Sequence, residues 1–173
     1  MRYKVLRKQK ISPHCFVCGT KNNFGLQASF YECEREDGEK VLLAVFKGHN
    51  LHQSYPSRMH GGIISTILDE AIGRALEMLH TEPKWGVTID LNIKFRKPVP
   101  LEEEIYCETK IIKETHRSFE GEGKLMTKDG TICATAIGKY LILKLEQILD
   151  TDKLSDEVLV YINEPLPKEF IIG

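Results

Sequence analysis

Side chains suited to chemistry concentrate in two places in this sequence: the adjacent carboxylates Asp69 and Glu70, and the run His14-Cys15-Phe16-Val17-Cys18-Gly19. In the second run two thiols three residues apart stand beside an imidazole, and such groups suit zinc. A closed zinc site needs a fourth ligand and usually a second spaced pair, and neither lies nearby. A redox pair of this spacing would also expect a helix directly after it. The run is therefore read as a tight turn with small buried thiols, and no metal ligand is assigned.

The carboxylates belong to residues 56–79, PSRMHGGIISTILDEAIGRALEML, where apolar residues recur at Ile63, Ile64, Ile67, Leu68, Ala71, Ile72, Ala75, Leu76 and Leu79. That spacing predicts a helix with one broad apolar face. Placed about 100° apart round the axis, Asp69 falls just beyond the Leu76 edge, between Ser65 and Gly73. Glu70 falls near the middle of the polar side, facing solvent or an interface. A helical side chain is normally shielded by the residue four positions on. For Asp69 that residue is Gly73, whose place in a helix costs roughly 1 kcal/mol relative to Ala. Gly73 either opens Asp69 to a ligand or lets the helix pack closely on a neighbouring backbone.

Strands must position this helix. Residues 26–34 and 40–46 read as a hairpin about the turn Glu36-Asp37-Gly38-Glu39, and residues 47–59, KGHNLHQSYPSRM, form a polar loop leading into the helix. After it, residues 85–96 alternate: Trp85, Val87, Ile89, Leu91, Ile93 and Phe95 against Thr88, Asp90, Asn92, Lys94 and Arg96. Pro98 and Pro100 end that strand. Further strands are expected at 104–116, 119–127 and 131–143, with Lys128-Asp129-Gly130 turning the last hairpin. One long helix among antiparallel strands implies an α+β domain over residues 1–145, its sheet curled round the helix. Gly121, Gly123, Ala134, Ala136 and Gly138 would let the backbone come close to that helix. Residues 1–10 read as basic and peripheral, and residues 146–173 as a C-terminal extension without an assigned role.

The 173 residues are 42% hydrophobic and 28% charged, as expected of one globular domain. A formal net charge of −1 gives no global reason to expect nucleic acid or an anionic membrane as partner. The longest apolar runs are too short to cross a bilayer, and the first residues lack the apolar core of a secretory signal, so a cytoplasmic location is expected. Five cysteines are an odd number, and Cys33, Cys107 and Cys133 lie in expected strands, which suits free buried thiols.

The runs His60-Gly61-Gly62-Ile63, Leu68-Asp69-Glu70-Ala71 and 86–92, the ending Arg96-Lys97-Pro98-Val99, and the opening Cys15-Phe16-Val17-Cys18-Gly19 together resemble the hotdog-fold acyl-CoA thioesterases. The likeness is to the branch typified by the phenylacetate-pathway enzyme, and it covers residues 15–143. It implies a hotdog fold, an antiparallel sheet wrapped round one central helix, and hydrolysis of an acyl-CoA thioester to free acid and CoA. No cofactor is implied, CoA being part of the substrate.

The resemblance also implies roles for single residues. Asp69 would be nucleophile or general base, and Gly61 would give its N–H to the thioester carbonyl. An unsatisfied N–H at a helix N-terminus suits a developing oxyanion. These two groups lie about 12 Å apart by helical rise, so one chain cannot apply both to one carbonyl. Relatives pair across a two-fold axis, which implies a homo-oligomer, a dimer or a dimer of dimers, with composite sites.

Where some relatives place Asn six residues before the motif His this chain has Ser54, with Gln53 beside it as a stand-in to orient thioester or water. Thr88 either helps to hold the attacking water or is an ordinary strand residue. His60 either holds the turn or carries a proton, and Gly62 completes the motif. Arg96 and Lys97, with His116 and Arg117, are candidates for the CoA phosphates. An alternative reading is a hotdog protein that binds acyl-CoA without turning it over. The Asp and His pair of the related hydratases is not present as one short motif.

Overall fold

The apolar spacings resolve, in the computed structural model, into one helix lying against one sheet; the structure describes residues 1–148 and 159–173. The elements are β1 (Arg2–Lys8), β2 (Ser29–Arg35), β3 (Lys40–Lys47), α1 (Gly61–Arg74), β4 (Trp85–Phe95), β5 (Glu104–Glu114), β6 (Ser118–Thr127), β7 (Ile132–Leu143) and β8 (Glu169–Ile171). The strands form an eight-stranded sheet in the order β4-β7-β6-β5-β3-β2-β1-β8. Every pairing in it is antiparallel.

Helix α1 begins where His60, in extended conformation, caps it: the ring Nδ1 accepts the Gly62 N–H at 2.9 Å. Its inner face buries Ile64, Ile67, Leu68, Ala71 and Ile72 against the sheet, each contributing about 1.5–3 kcal/mol for the larger side chains. After Arg74 the expected helix tightens into a 3-10 turn, Ala75–Leu79, that carries Ala75 and Leu76 into the same core.

Close approach of sheet and helix depends on missing side chains. A Cβ on Gly121 would lie 2.6 Å from Ile72 Cγ2, and one on Gly123 3.2 Å from Ile72 Cγ1. Gly138 serves another neighbour, since a Cβ there would strike the Tyr140 ring at 2.7 Å.

The first ten residues are not peripheral. Tyr3 is buried, and β1 pairs with β2 on one side and β8 on the other. The basic side chains of β1 alternate with Tyr3 and Val5, which join a second apolar cluster with Tyr31, Val41, Leu43 and Tyr106 on the sheet face away from α1. Phe170 and Ile172 of the C-terminal extension pack on that cluster. Residues 149–158 of the extension lie outside the described residues.

Strand β4 departs from simple alternation. Its pairing with β7 passes from Thr88 opposite Tyr140 to Asp90 opposite Lys139, so Ile89 is an extra residue, a bulge. Gly86 and Thr88 before the bulge then share the helix-facing side with Leu91 and Ile93 after it, which pack on the core. Thr88 is thus not on the face that unbroken alternation predicts. No helix among the described residues is long and apolar enough to cross a membrane.

Candidate active site

Asp69 projects from the third turn of α1 towards β4 and β7. Its Oδ1 accepts a hydrogen bond from Thr88 Oγ1 at 2.7 Å and another from the Tyr140 hydroxyl at 3.1 Å, which also reaches the Asp69 carbonyl at 3.0 Å. The bulge at Ile89 is what turns Thr88 inward to make the first of these contacts. Tyr140 is held from behind by a parallel stack on Phe119, with ring centroids 4.7 Å apart. Burial, with the Asp69 charge and hydrogen bond, pushes its phenol pKa well up, so it stays a donor.

Tyr140 is also the neighbour of Gly73. A Cβ there would sit 3.4 Å from Tyr140 Cε1, an ordinary contact. The gap on the helix therefore faces an aromatic ring rather than a backbone, and it opens on the cleft that Asp69 lines. Nothing in the run around Tyr140 singles it out by itself. The usable signal is its place at the end of a small-residue stripe, Ala134, Ala136 and Gly138, on the same face of the strand.

Asp69, Thr88, Tyr140 and Gly73 line a cleft of about 510 Å³ between the end of α1 and the start of β4. Its far wall is ionic: Glu114 bonds His80 Nε2 at 2.8 Å and Lys84 Nζ at 3.1 Å. Leu159 and Tyr161 of the extension also line it. Adjacent Glu70 looks elsewhere. It pairs with Arg74 Nε at 2.7 Å and faces Cys15 and Cys18, so it is not simply solvated.

At the other end of α1, the N–H groups of Ile63 and Ile64 reach the His60 carbonyl, and that of Gly62 reaches the His60 ring. The Gly61 N–H finds no acceptor among the described residues, and a half-buried donor at a helix N-terminus is an anion site in miniature. His60 is the helix cap, and its Nδ1 must be unprotonated to accept the Gly62 N–H. Beneath the loop His52 is buried, with Nε2 2.9 Å from the Phe24 carbonyl and Nδ1 accepting the His49 N–H. Burial pushes its pKa down, so it holds the loop as a neutral ring; its carbonyl accepts the His60 N–H at 2.8 Å.

The remaining expected residues are placed as follows. Gln53 Oε1 accepts the Ser57 N–H at 3.1 Å and the Ser54 N–H bonds the Arg58 carbonyl, so both shape the exposed turn before α1. Arg96 and Lys97 follow β4 at its Phe95 end, both N–H groups on the Cys133 carbonyl. His116 and Arg117 lie in the β5–β6 turn, beside Leu141–Leu143 and so at the Trp85 end of β4. Within one chain the two basic pairs stand apart by the length of β4, roughly 30 Å for its residues at strand rise.

A second cleft, of about 420 Å³, lies on the outer sheet face and includes Arg35, Lys94, Arg96, Lys110 and Lys124. The carboxylate beneath it, Glu108, is buried and fully engaged by Tyr3, Arg35 and Lys124.

A family model described as thioesterase superfamily matches residues 57–134, the stretch from the turn before α1 to the start of β7. Over that stretch the chain is similar to the thioesterase superfamily. Its sheet and central helix form the hotdog fold of that superfamily. The acyl-coenzyme A thioesterase THEM4 of Bos taurus is 25% identical over 151 residues, covering 83% of this chain and 58% of that protein. The chain thus spans little more than half the length of this superfamily relative. A crystal structure of a thioesterase superfamily protein superposes with a TM-score of 0.64 at 22% identity, over 75% of this chain and 60% of that one. A Bacillus halodurans protein crystallised with CoA gives 0.53 at 26% identity, over 58% and 70%.

Proposed function

We propose that the protein hydrolyses an acyl-CoA thioester to free acid and CoA, at a site shared by two copies of the chain. The observation that carries this reading is the Asp69 carboxylate, held through Oδ1 by two hydroxyls at the wall of a cleft. A protein that only binds acyl-CoA has no use for such a group. The names of the Bos taurus relative and of the CoA-bound structure support CoA thioesters as the substrate class.

With Oδ1 engaged, Oδ2 is the atom that acts. As general base it takes a proton from water, the oxygen adds to the thioester carbonyl, and the oxyanion is received by the Gly61 N–H of a second copy. Collapse breaks the C–S bond, and the leaving thiolate takes up the proton. As nucleophile, Oδ2 adds directly, collapse breaks the C–S bond and expels the thiolate, and water then cleaves the resulting anhydride, its proton passing to the thiolate. After a single turnover in ¹⁸O-water, label in Asp69 marks the nucleophile route with water attacking the Asp69 carbonyl, since the general base takes up none. Thr88 and Tyr140 orient the carboxylate in both routes.

Two features support the second copy. Gly61 and Asp69 are separated by about 12 Å of helical rise. Strand β4 is also an edge of eleven residues with Ile89 and Phe95 each 57% exposed, and long apolar edges pair with other chains. Antiparallel pairing of β4 with its own copy would bring the Gly61 end of one chain to the Asp69 end of the other. It would also bring Arg96 and Lys97 of one towards His116 and Arg117 of the other, giving the CoA phosphates one basic mouth. Gln53 and Ser54 would border that mouth.

The test is thiol release from short, long and aromatic acyl-CoAs. Asp69→Asn is expected to lower turnover by ~10²–10⁴-fold while CoA binding and the circular dichroism spectrum are unchanged. A folded variant as active as wild type overturns the proposal.

A further inference from the structure

The turn at 14–19 packs against α1 one residue beyond Asp69. There Glu70 Oε1 stands 3.9 Å from Cys15 Sγ and 4.0 Å from Cys18 Sγ. All three ligand atoms lie within 4.8 Å of one another. We propose that Cys15, Cys18 and Glu70 bind a divalent cation of the zinc class, which staples this turn to the helix that carries Asp69.

The distances favour a shared ion. In a tetrahedral site with Zn–S of about 2.3 Å and Zn–O of about 2.0 Å, sulfur and oxygen on one ion stand about 3.5 Å apart. Both observed separations exceed that by only a few tenths of an ångström, so the site closes on the ion with a small contraction. The same distances are long for thiol-to-carboxylate hydrogen bonds.

The surroundings are built for ligands. Val17 N–H donates to Cys15 Sγ at 3.3 Å, Ser12 N–H to Cys18 Sγ at 3.4 Å, and Arg74 Nη2 to Cys18 Sγ at 3.1 Å. Donors aimed at sulfur favour the thiolate, which is the ligating form. Arg74 Nε fixes Glu70 Oε1 at 2.7 Å, and Nη1 is anchored on the Lys10 carbonyl at 2.9 Å. A carboxylate oxygen has a second lone pair, so Oε1 keeps Arg74 while it ligates.

Two thiolates and one carboxylate against Arg74 and a divalent ion sum to zero charge, which suits a site where the Arg74 side chain is only 14% exposed. Cys18 is buried and Cys15 half-buried, leaving one open position for a water molecule. The turn is closely packed: a Cβ on Gly19 would fall 2.4 Å from the Cys15 carbonyl oxygen and 2.5 Å from that of Pro13. A dithiol working by disulfide exchange gains nothing from Glu70, whose charge opposes the thiolate. A cation requires it.

The full chain, purified reduced and metal-free, is titrated with zinc against a chromophoric chelator, and separately with cobalt(II) followed by absorbance. One zinc per chain is expected, with sulfur-to-cobalt charge transfer and the intense visible bands of a tetrahedral site. Cys15→Ser and Glu70→Gln should each weaken zinc binding by at least roughly tenfold. Zinc should raise the thermal midpoint of wild type and not that of Cys15→Ser. Circular dichroism checks the fold of each variant; should Cys15→Ser not fold, Glu70→Gln carries the comparison. Uptake of less than one zinc, unchanged affinity in folded variants, or a cobalt spectrum without sulfur charge transfer overturns the proposal. So does conversion of the wild-type pair to a disulfide in the presence of zinc.

Discussion

Tyr140 and Thr88 fix where the Asp69 carboxylate points, and they do so from different strands with different tolerance. Tyr140→Phe keeps the ring, its stack on Phe119 and its fit against Gly73, and removes only the hydroxyl. A hydrogen bond to a charged group contributes about 1.5–3 kcal/mol, or roughly a 10–100-fold effect if it is all expressed in the transition state. Turnover measured by thiol release is therefore expected to fall at least tenfold with KM little changed and the fold intact. An unchanged turnover would show that Thr88 alone orients the carboxylate. The two neighbouring carboxylates meanwhile have separate tasks, since Glu70 is bound to Arg74 and turned to the thiols.

Helix and sheet are matched through the stripe of small residues on β6 and β7. Gly121→Ala would drive a methyl to 2.6 Å from Ile72 Cγ2 and 3.0 Å from the Lys110 carbonyl, and the backbone side of that contact cannot move away. Overpacking of this kind costs about 1–3 kcal/mol, so a thermal midpoint several degrees lower is expected, with a Gly138→Ala comparison reporting on Tyr140 instead.

These elements differ in how far the sequence discloses them. The helix and six of the strands were legible, because periods of 3.6 and 2 are direct images of one buried face. Strand β1 was not, since basic side chains on its exposed face masked Tyr3 and Val5. The bulge at Ile89 was hidden as well, because an extra residue breaks the very period by which strands are read. At the site, Asp69 stood out through Gly73, whereas Tyr140 lies 71 residues away and meets it only across the fold. The Cys15, Cys18 and Glu70 cluster was half visible for the same reason: its third member comes from another element.

At the scale of the whole molecule, the proposed site exists only between chains. A chain with Asp69→Ala and a chain with Gly61→Val, whose Cβ would meet the Phe95 ring at 3.6 Å and whose branches reach further, are each expected to be inactive alone. When they are mixed, half the dimers formed at random are heterodimers with one intact site of two, which restores about a quarter of wild-type activity. Heterodimers verified by mass, yet no more active than their parents, would place both groups within one chain. The extra residue at Ile89 lies on the same edge through which the chains would meet. Deleting it would leave Thr88 opposite Tyr140 and Asp90 opposite Lys139 in unbroken alternation, with Thr88 still on the helix-facing side. What the strand would lose is the local bend and added twist that a bulge imposes. Each chain of a symmetric pair would carry that straightening into the shared seam, so the extra residue sets the curvature of the meeting edge while Thr88 keeps its carboxylate.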